Sequence, residues 1–323
     1  MNAPFLHSDQ LVQLTKAVSD PLRVEVLRLL RQDSYGVLEL CKMTDVAQPG
    51  MSHHLRILSQ AGIVETRKEG TSIFYRRTST ASAAEFSDLV QAMFNAIDRV
   101  PLSAATAQRK LEVHADRSHR SAQFFERCHA ELQDNQELIT DFSHYQGCVS
   151  DLLSHETLGE RRLAVEIGSG ESHLIEQLSQ RFDQVFSVDN SEAMLNGTRA
   201  LCERLGLTNI EFKLADFLTL PPEHPVDLLA LNMVLHHVAS PAAFFDSARR
   251  WLRHDGRLLL IDLCPHDQDW AREICGDQWL GFDPADLTSW ANHAGLQTSQ
   301  TAYLGLKNGF QIQIHLFQPL NIE

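Results

Sequence analysis

The stretch Leu163-Ala164-Val165-Glu166-Ile167-Gly168-Ser169-Gly170-Glu171, followed about twenty residues later by Val188-Asp189, decides the fold. The apolar residues of 163–167 read as a buried strand. The Gly-Ser-Gly turn allows a tight reversal and a close backbone approach. Leu174, Ile175 and Leu178 then fall at helical spacing, and Gln184 to Val188 make a second strand that ends on Asp189. Strand, glycine turn, helix, strand and acid form the nucleotide-binding half of a doubly wound α/β fold. The turn offers backbone N–H groups to a ligand, and the acid holds ribose hydroxyls.

A dinucleotide needs a third glycine so that its pyrophosphate can sit on the helix N-terminus. His173 holds that position here, which weakens a dinucleotide reading. The turn instead resembles the Glu/Asp-x-Gly-x-Gly-x-Gly turn of the class I methyltransferases, which serves S-adenosylmethionine. Glu166, Gly168 and Gly170 match it, and Ser172 replaces the last glycine.

The rest of the chain extends the resemblance over residues 161–323. Helix 190–206 is followed by a strand at Ile210–Leu214 leading to Asp216-Phe217, and by another at Val226–Met233. Ser240-Pro241 caps a helix, Arg257–Asp262 is the fifth strand, and Asp283–Ala294 a helix. Tyr303–Ile314 reads as a hairpin with Asn308-Gly309 at its turn. Such a Rossmann-like, doubly wound methyltransferase sheet implies S-adenosylmethionine, or S-adenosylhomocysteine as an effector. Gly168 and Gly170 would lie under its amino-acid part, and Asp189, with Asn190 beside it, at the ribose. Met194 would pack near the adenine, Asp216 would accept from its amino group, and Phe217 would lie against the ring. Asn232 would end the fourth strand where the sulfonium sits. His236 and His237 are the candidate catalytic bases, although Leu-His-His at this point is also structural in the family resembling the ubiquinone-pathway methyltransferases. The polar and aromatic residues of 262–282, among them Asp262, Cys264, Trp270, Trp279 and Phe282, read either as an acceptor pocket or as a packed loop.

Charge is uneven. Residues 1–80 hold 10 Lys and Arg against 8 Asp and Glu, whereas the remainder holds 18 against 34. The acidic bulk excludes a broad nucleic-acid or membrane coat, so any DNA contact must be a local patch. The start lacks a signal-peptide pattern and no apolar run approaches ~20 residues, so no membrane span is expected. The 6 cysteines are scattered, which suits a reduced, cytoplasmic protein.

Residues 1–80 read as a winged helix-turn-helix. Asp20-Pro21 starts one helix, a second covers Gly36 to Met43, and a third runs from Gln48-Pro49 to Ala61-Gly62. Two strands, 63–67 and 72–76, flank Lys68-Glu69-Gly70-Thr71. Gln48, Ser52, His53, His54 and Arg56 on the third helix suit base edges in the major groove. Arg67, Lys68, Arg76 and Arg77 on the wing suit phosphates. Residues 48–64 resemble the recognition helix of the ArsR/SmtB winged-helix repressors, and 67–75 their wing. The resemblance covers roughly residues 8–78 and implies a homodimer on a double-stranded, pseudo-palindromic DNA operator. The family's metal site does not carry over, since Glu39-Leu40-Cys41-Lys42-Met43 offers one thiol.

Residues 81–160 read as a helical dimerisation and lid segment. Phe86, Leu89, Val90, Met93, Phe94 and Ile97 form an apolar stripe that in the winged-helix family builds the dimer. Residues 103–107 read as a soft linker. The residues around Tyr145 are candidates for a lid over the cofactor. His114, His119, His129 and His144 lack the spacing of a metal site, and no metal is expected. Cys148, Cys264 and Cys275 do not make an arsenite site either, because the fourth strand ends without a cysteine. Two functions follow: a regulator that senses the cofactor, or a methyltransferase of a small molecule that regulates its own operon.

Overall fold

The computed structural model describes residues 3–78, 86–155 and 160–320; the side chains of 3–7 and 129–137 lie outside this description. The chain divides into two units, residues 1–116 and 117–323.

The first unit opens with α1 (Ala3–Ala17) and α2 (Pro21–Leu29). Asp20 caps α2 by accepting from the Arg23 backbone at 3.1 Å, satisfying a donor the helix itself leaves unpaired. A short strand, β1 (Tyr35–Gly36), precedes α3 (Val37–Thr44) and α4 (Gln48–Gln60). Then come β2 (Val64–Glu69) and β3 (Ser72–Arg77), paired antiparallel. β1 adds to the free edge of β3 and gives a three-stranded wing sheet; two residues carry no periodicity, so the sequence gives no sign of it. α5 (Ser87–Asp98) buries Val90, Phe94 and Ile97 in the same core as Val26, Leu30, Leu55 and Leu58. The stripe read as a dimer face is therefore largely spent on the unit's own core.

The expected soft linker is instead the start of α6 (Ala104–Glu137). The Ser103 hydroxyl accepts from the Thr106 backbone at 3.0 Å, so this small-residue run is an N-cap and first turn. Within the first unit, Thr106 donates to Glu25 at 2.6 Å, and Lys110 pairs with Asp33 at 2.8 Å. The Tyr35 hydroxyl lies 2.7 Å from His114 Nε2.

The second unit takes the later turns of α6, then α7 (Gln146–His155) and a seven-stranded sheet. In chain order its elements are β4 (Leu163–Ile167), α8 (Leu174–Ser179), β5 (Gln184–Asp189), α9 (Glu192–Leu205) and β6 (Ile210–Leu214). There follow β7 (Val226–Asn232), α10 (Pro241–Trp251), β8 (Leu252–Leu263), α11 (Trp270–Ile274), α12 (Pro284–His293), β9 (Leu296–Gly305) and β10 (Gln311–Pro319). The spatial order is β6-β5-β4-β7-β8-β10-β9. β4 to β8 pair in parallel, and β10 lies antiparallel between β8 and β9. β4, β5, β7 and the second half of β8 are almost wholly buried, as strands with helices on both faces must be. The order reverses between β4 and β7, so the crevice of this fold opens at their C-terminal ends. Among the described residues no helix is long and apolar enough to cross a membrane.

Candidate cofactor cavity and nucleic-acid face

A cavity of about 260 Å³ lies at that crevice. Its floor is the turn after β4. Gly168 has φ +64° and donates its N–H to Val188 O at 2.8 Å. A Cβ there would stand 2.7 Å from Val234, so the turn excludes any side chain. Gly170 lies against Met194, and its carbonyl accepts from Thr198 at 2.6 Å.

Ser172, in place of the third glycine, is used rather than merely tolerated. Its hydroxyl accepts from the Asn232 amide at 2.8 Å, and Asn232 Oδ1 accepts from the Tyr145 hydroxyl at 2.9 Å. One chain of hydrogen bonds thus ties the turn, the end of β7 and the residue before α7. Burial raises the Tyr145 hydroxyl well above its ordinary range, keeping it a donor.

Asp189 ends β5 and accepts from the Ser191 backbone at 2.8 Å. Burial raises its carboxyl to about 6, and the nearby Glu126 carboxylate adds to the rise. Glu126, on α6, accepts from the Ser191 hydroxyl at 2.8 Å and the Ala193 backbone at 3.3 Å. The sequence gives no hint of this residue, since α6 reaches the cavity from more than sixty positions away. Asn190, Met194, Asp216, Phe217 and Asn232 all line the cavity. Asp216 Oδ1 accepts from the Leu218 backbone at 2.9 Å, and Phe217 packs on Phe244 and Trp251.

Glu166 stands apart from this group. It is fully buried in β4 and is not among the cavity-lining residues. Among the described residues neither oxygen has a partner in full hydrogen-bond geometry, and burial, partly offset by the Ser169 hydroxyl, pushes its carboxyl up to about 8. It lies beneath the turn rather than on it, because alternate residues of a strand face opposite sides.

His236 and His237 sit on a 3-10 turn, Leu235–His237, at the far wall. His236 Nδ1 lies 2.8 Å from Asp262 Oδ1. Burial alone would lower His236, but the Asp262 and Asp277 carboxylates outweigh it and raise it to about 9. Burial, with His236 beside it, holds His237 well below its ordinary value. Neither is a free base of ordinary strength. Most of 262–282 is packing: the Trp279 indole donates to Val238 O at 2.9 Å, and Phe282 is buried. Of the three thiols considered, only Cys275 lines the cavity.

On the winged helix, Gln48, Ser52, His53 and Arg56 are exposed along α4, while Met51, Leu55 and Leu58 face the core. His54 is turned inward, with Nδ1 3.4 Å from Arg23 and 3.7 Å from Asp20. On the wing Lys68 is exposed, whereas Arg67 pairs with Glu69 and Arg76 with Glu65 at 2.6 Å. Arg77 is structural: it reaches Asp98 at 2.7 Å and Leu27 O at 2.8 Å, and lies over Phe94. Cys41 is half-buried, and burial raises its thiol.

Comparison with known proteins agrees with both halves. The model for the bacterial regulatory protein, arsR family, matches residues 20–66, and that for a methyltransferase domain matches residues 160–301. An HTH-type transcriptional regulator of Methanocaldococcus jannaschii is 44% identical over 70 residues, 21% of this chain and 76% of that protein. The biofilm growth-associated repressor of Xylella fastidiosa is 33% identical over 92 residues, 28% of this chain and 80% of that one. Among solved structures, a SAM-dependent methyltransferase of Leishmania major superposes with TM-score 0.52 at 12% identity, over 62% of this chain and 83% of that one. A chain of the complex between the Haloferax volcanii Trm112 methyltransferase activator and a methyltransferase gives 0.51 at 14% identity, over 61% and 97%.

Proposed function

The chain belongs to the arsR family of bacterial regulatory proteins and carries a methyltransferase domain, and from this we propose that it is a DNA-binding regulator controlled by S-adenosylmethionine or S-adenosylhomocysteine. The residues at the cavity fit that group. Gly168 and Gly170 line the cavity with no side chain of their own, so their backbone faces a bound amino-acid tail. Asp189 lines the cavity and places a carboxylate where ribose hydroxyls need an acceptor, with Glu126 behind it on Ser191. Asp216 and Phe217 offer an acceptor and a ring face to an adenine, and Asn232 a polar edge to a sulfonium. When bound, S-adenosylmethionine supplies a methyl group already activated as a sulfonium, so positioning is the protein's main task.

The observation that carries the regulatory half is α6. Its first turns are tied into the core of the winged helix by Thr106, Lys110 and His114. Its later turns give Ser118, Ser121 and Phe125 to the cavity lining. A ligand that changes the packing of those residues acts on a helix that the DNA-binding unit also holds. Regulation then requires that the ligand prefer one state of the protein; equal affinity for both shifts nothing. The winged helix, acting as a homodimer, would set the exposed residues of α4 in successive major grooves of a duplex operator and Lys68 near its phosphates.

A second reading, methylation of a small molecule by a self-regulating enzyme, is favoured by one feature. Besides Asn232, the cavity lining includes Phe125, His236, His237 and Cys275, which the cofactor roles above leave unused. Calorimetric titration separates these possibilities from an idle fold. One equivalent of heat per chain with S-adenosylmethionine or S-adenosylhomocysteine is expected; no heat with either overturns the proposal. Turnover of the cofactor with an added acceptor would favour the enzyme.

A further inference from the structure

We propose that His236, His237 and Asp277 form a binding site for one first-row divalent transition-metal ion at the wall of the cavity. Each offers a ligand atom, and these atoms lie within 4.8 Å of one another. His236 Nε2 is 3.7 Å from Asp277 Oδ1, and His237 Nδ1 is 4.0 Å from the same oxygen. A tetrahedral ion with bonds of about 2.0–2.2 Å sets its ligand atoms roughly 3.3 Å apart. The two contacts to Asp277 therefore need to close by about 0.4 and 0.7 Å, and no pair of ligand atoms by more than about 1.5 Å.

The surroundings are those of a built site. His236 Nδ1 is held by Asp262, which also accepts from the His236 and Leu263 backbone at 3.3 and 2.7 Å. A carboxylate on the far nitrogen fixes the ring and its tautomer, the usual support behind a metal-bound histidine. His237 is 7% exposed, and Nδ1, the nitrogen that faces Asp277, lies 3.3 Å from Gly276 O. An ion on Nδ1 takes its lone pair, so the ring gives up the Gly276 contact and carries its proton on Nε2, which has no hydrogen-bond partner among the described residues. The Phe125 ring stands edge-on at 4.9 Å.

The loop that carries Asp277 is fixed just before it. Gly276 has φ +79°, and a Cβ there would fall 2.4 Å from Phe124. Two imidazoles and one carboxylate are a poor cage for calcium or magnesium, which take oxygen ligands, and hold no thiolate for copper(I). The set suits zinc, cobalt, iron(II) or manganese, with a remaining position for a further ligand. Two of the three ligands line the cavity, so that ligand would enter from there.

The full chain, stripped with a chelator and titrated with Co²⁺, tests this by visible absorption. One equivalent per chain is expected. Affinity should fall more than tenfold in His237→Ala and in Asp277→Asn, and stay unchanged in His254→Ala, whose side chain is 88% exposed. X-ray absorption of the Zn²⁺-loaded wild type needs no variant, and only nitrogen and oxygen ligands including two imidazoles are expected. Failure of the wild type to bind an equivalent, equal affinity in the variants, or sulfur in the zinc shell would overturn the site. The first of these would leave His236 as a closed ion pair between two carboxylates.

Discussion

Asp189 and Glu126 meet at the N-terminus of α9, where Ser191 donates its backbone N–H to the first and its hydroxyl to the second. Burial, with the repulsion of the Glu126 carboxylate added to it, lifts Asp189 to about 6. The ionised form accepts from ribose hydroxyls; the protonated form has lost part of that capacity. Binding of S-adenosylhomocysteine should therefore tighten as pH rises from 5 to 7.5, and Asp189→Asn should weaken it about tenfold or more and flatten that dependence. Calorimetry at several pH values reads both.

Glu166 makes a separate prediction, on stability. It keeps its proton in the folded state up to about pH 8, but loses it near the ordinary value of 4.5 once unfolded. The folded state is thus favoured by low pH. Its contribution is fully present below 4.5, falls as pH rises, and is gone above 8, at a slope on the order of 1 kcal/mol per unit. Glu166→Gln removes the slope, so the variant should melt higher than the wild type at pH 8 and differ least near pH 5. Parallel melting profiles would contradict a carboxyl that burial keeps protonated.

At the scale of elements, the turn after β4 is set by shape. Gly168→Ala forces a left-handed backbone on an L residue and drives its Cβ into Val234. A loss of about 1–3 kcal/mol is expected, visible as a lower melting temperature. Val234→Ala in the same chain should restore only part, since it relieves the clash and not the backbone. The two faces of the winged helix give a contrast. Arg56→Ala should weaken duplex binding and lower the salt slope by about one, leaving stability within ±0.5 kcal/mol. Arg77→Ala should cost stability, because it removes the hydrogen bond to the Leu27 carbonyl, the stacking on Phe94 and the shortest of the three arginine contacts to Asp98, leaving Arg31 and Arg28.

These elements also show what the residues disclose. The glycine turn, the acid ending β5 and the β/α alternation are legible because each is a local pattern with one physical use. The Asp283–Ala294 helix is also legible, since Asp283 caps it. The pairing of His236 with Asp262 is not legible: it joins the ends of β7 and β8, 26 positions apart, with no spacing rule to mark it. Glu126 and Asp277 are hidden for the same reason. His54 reads as a base contact from its helix position alone, and only the Asp20–Arg23 pair at the start of α2 turns it inward. Ser103-Ala104-Ala105-Thr106-Ala107 reads as a linker because small residues carry no periodicity, although Ser103 and Thr106 make a cap.

At the scale of the whole molecule, a chain of formal net charge −14 approaches a duplex that is also negative. Any affinity rests on the local patch of α4 and the wing and should fall steeply with salt. The same chain carries α6 from the winged helix to the cavity, so ligand and DNA are coupled or the helix is only a spacer. Fluorescence anisotropy of a labelled duplex spanning the promoter of the protein's own gene decides this. The duplex is titrated with protein alone, with saturating S-adenosylmethionine, and with saturating S-adenosylhomocysteine. A shift in the midpoint of about 5-fold to 150-fold with at least one of the two is expected of a coupled regulator. Three superimposable curves, with both compounds bound, would contradict it.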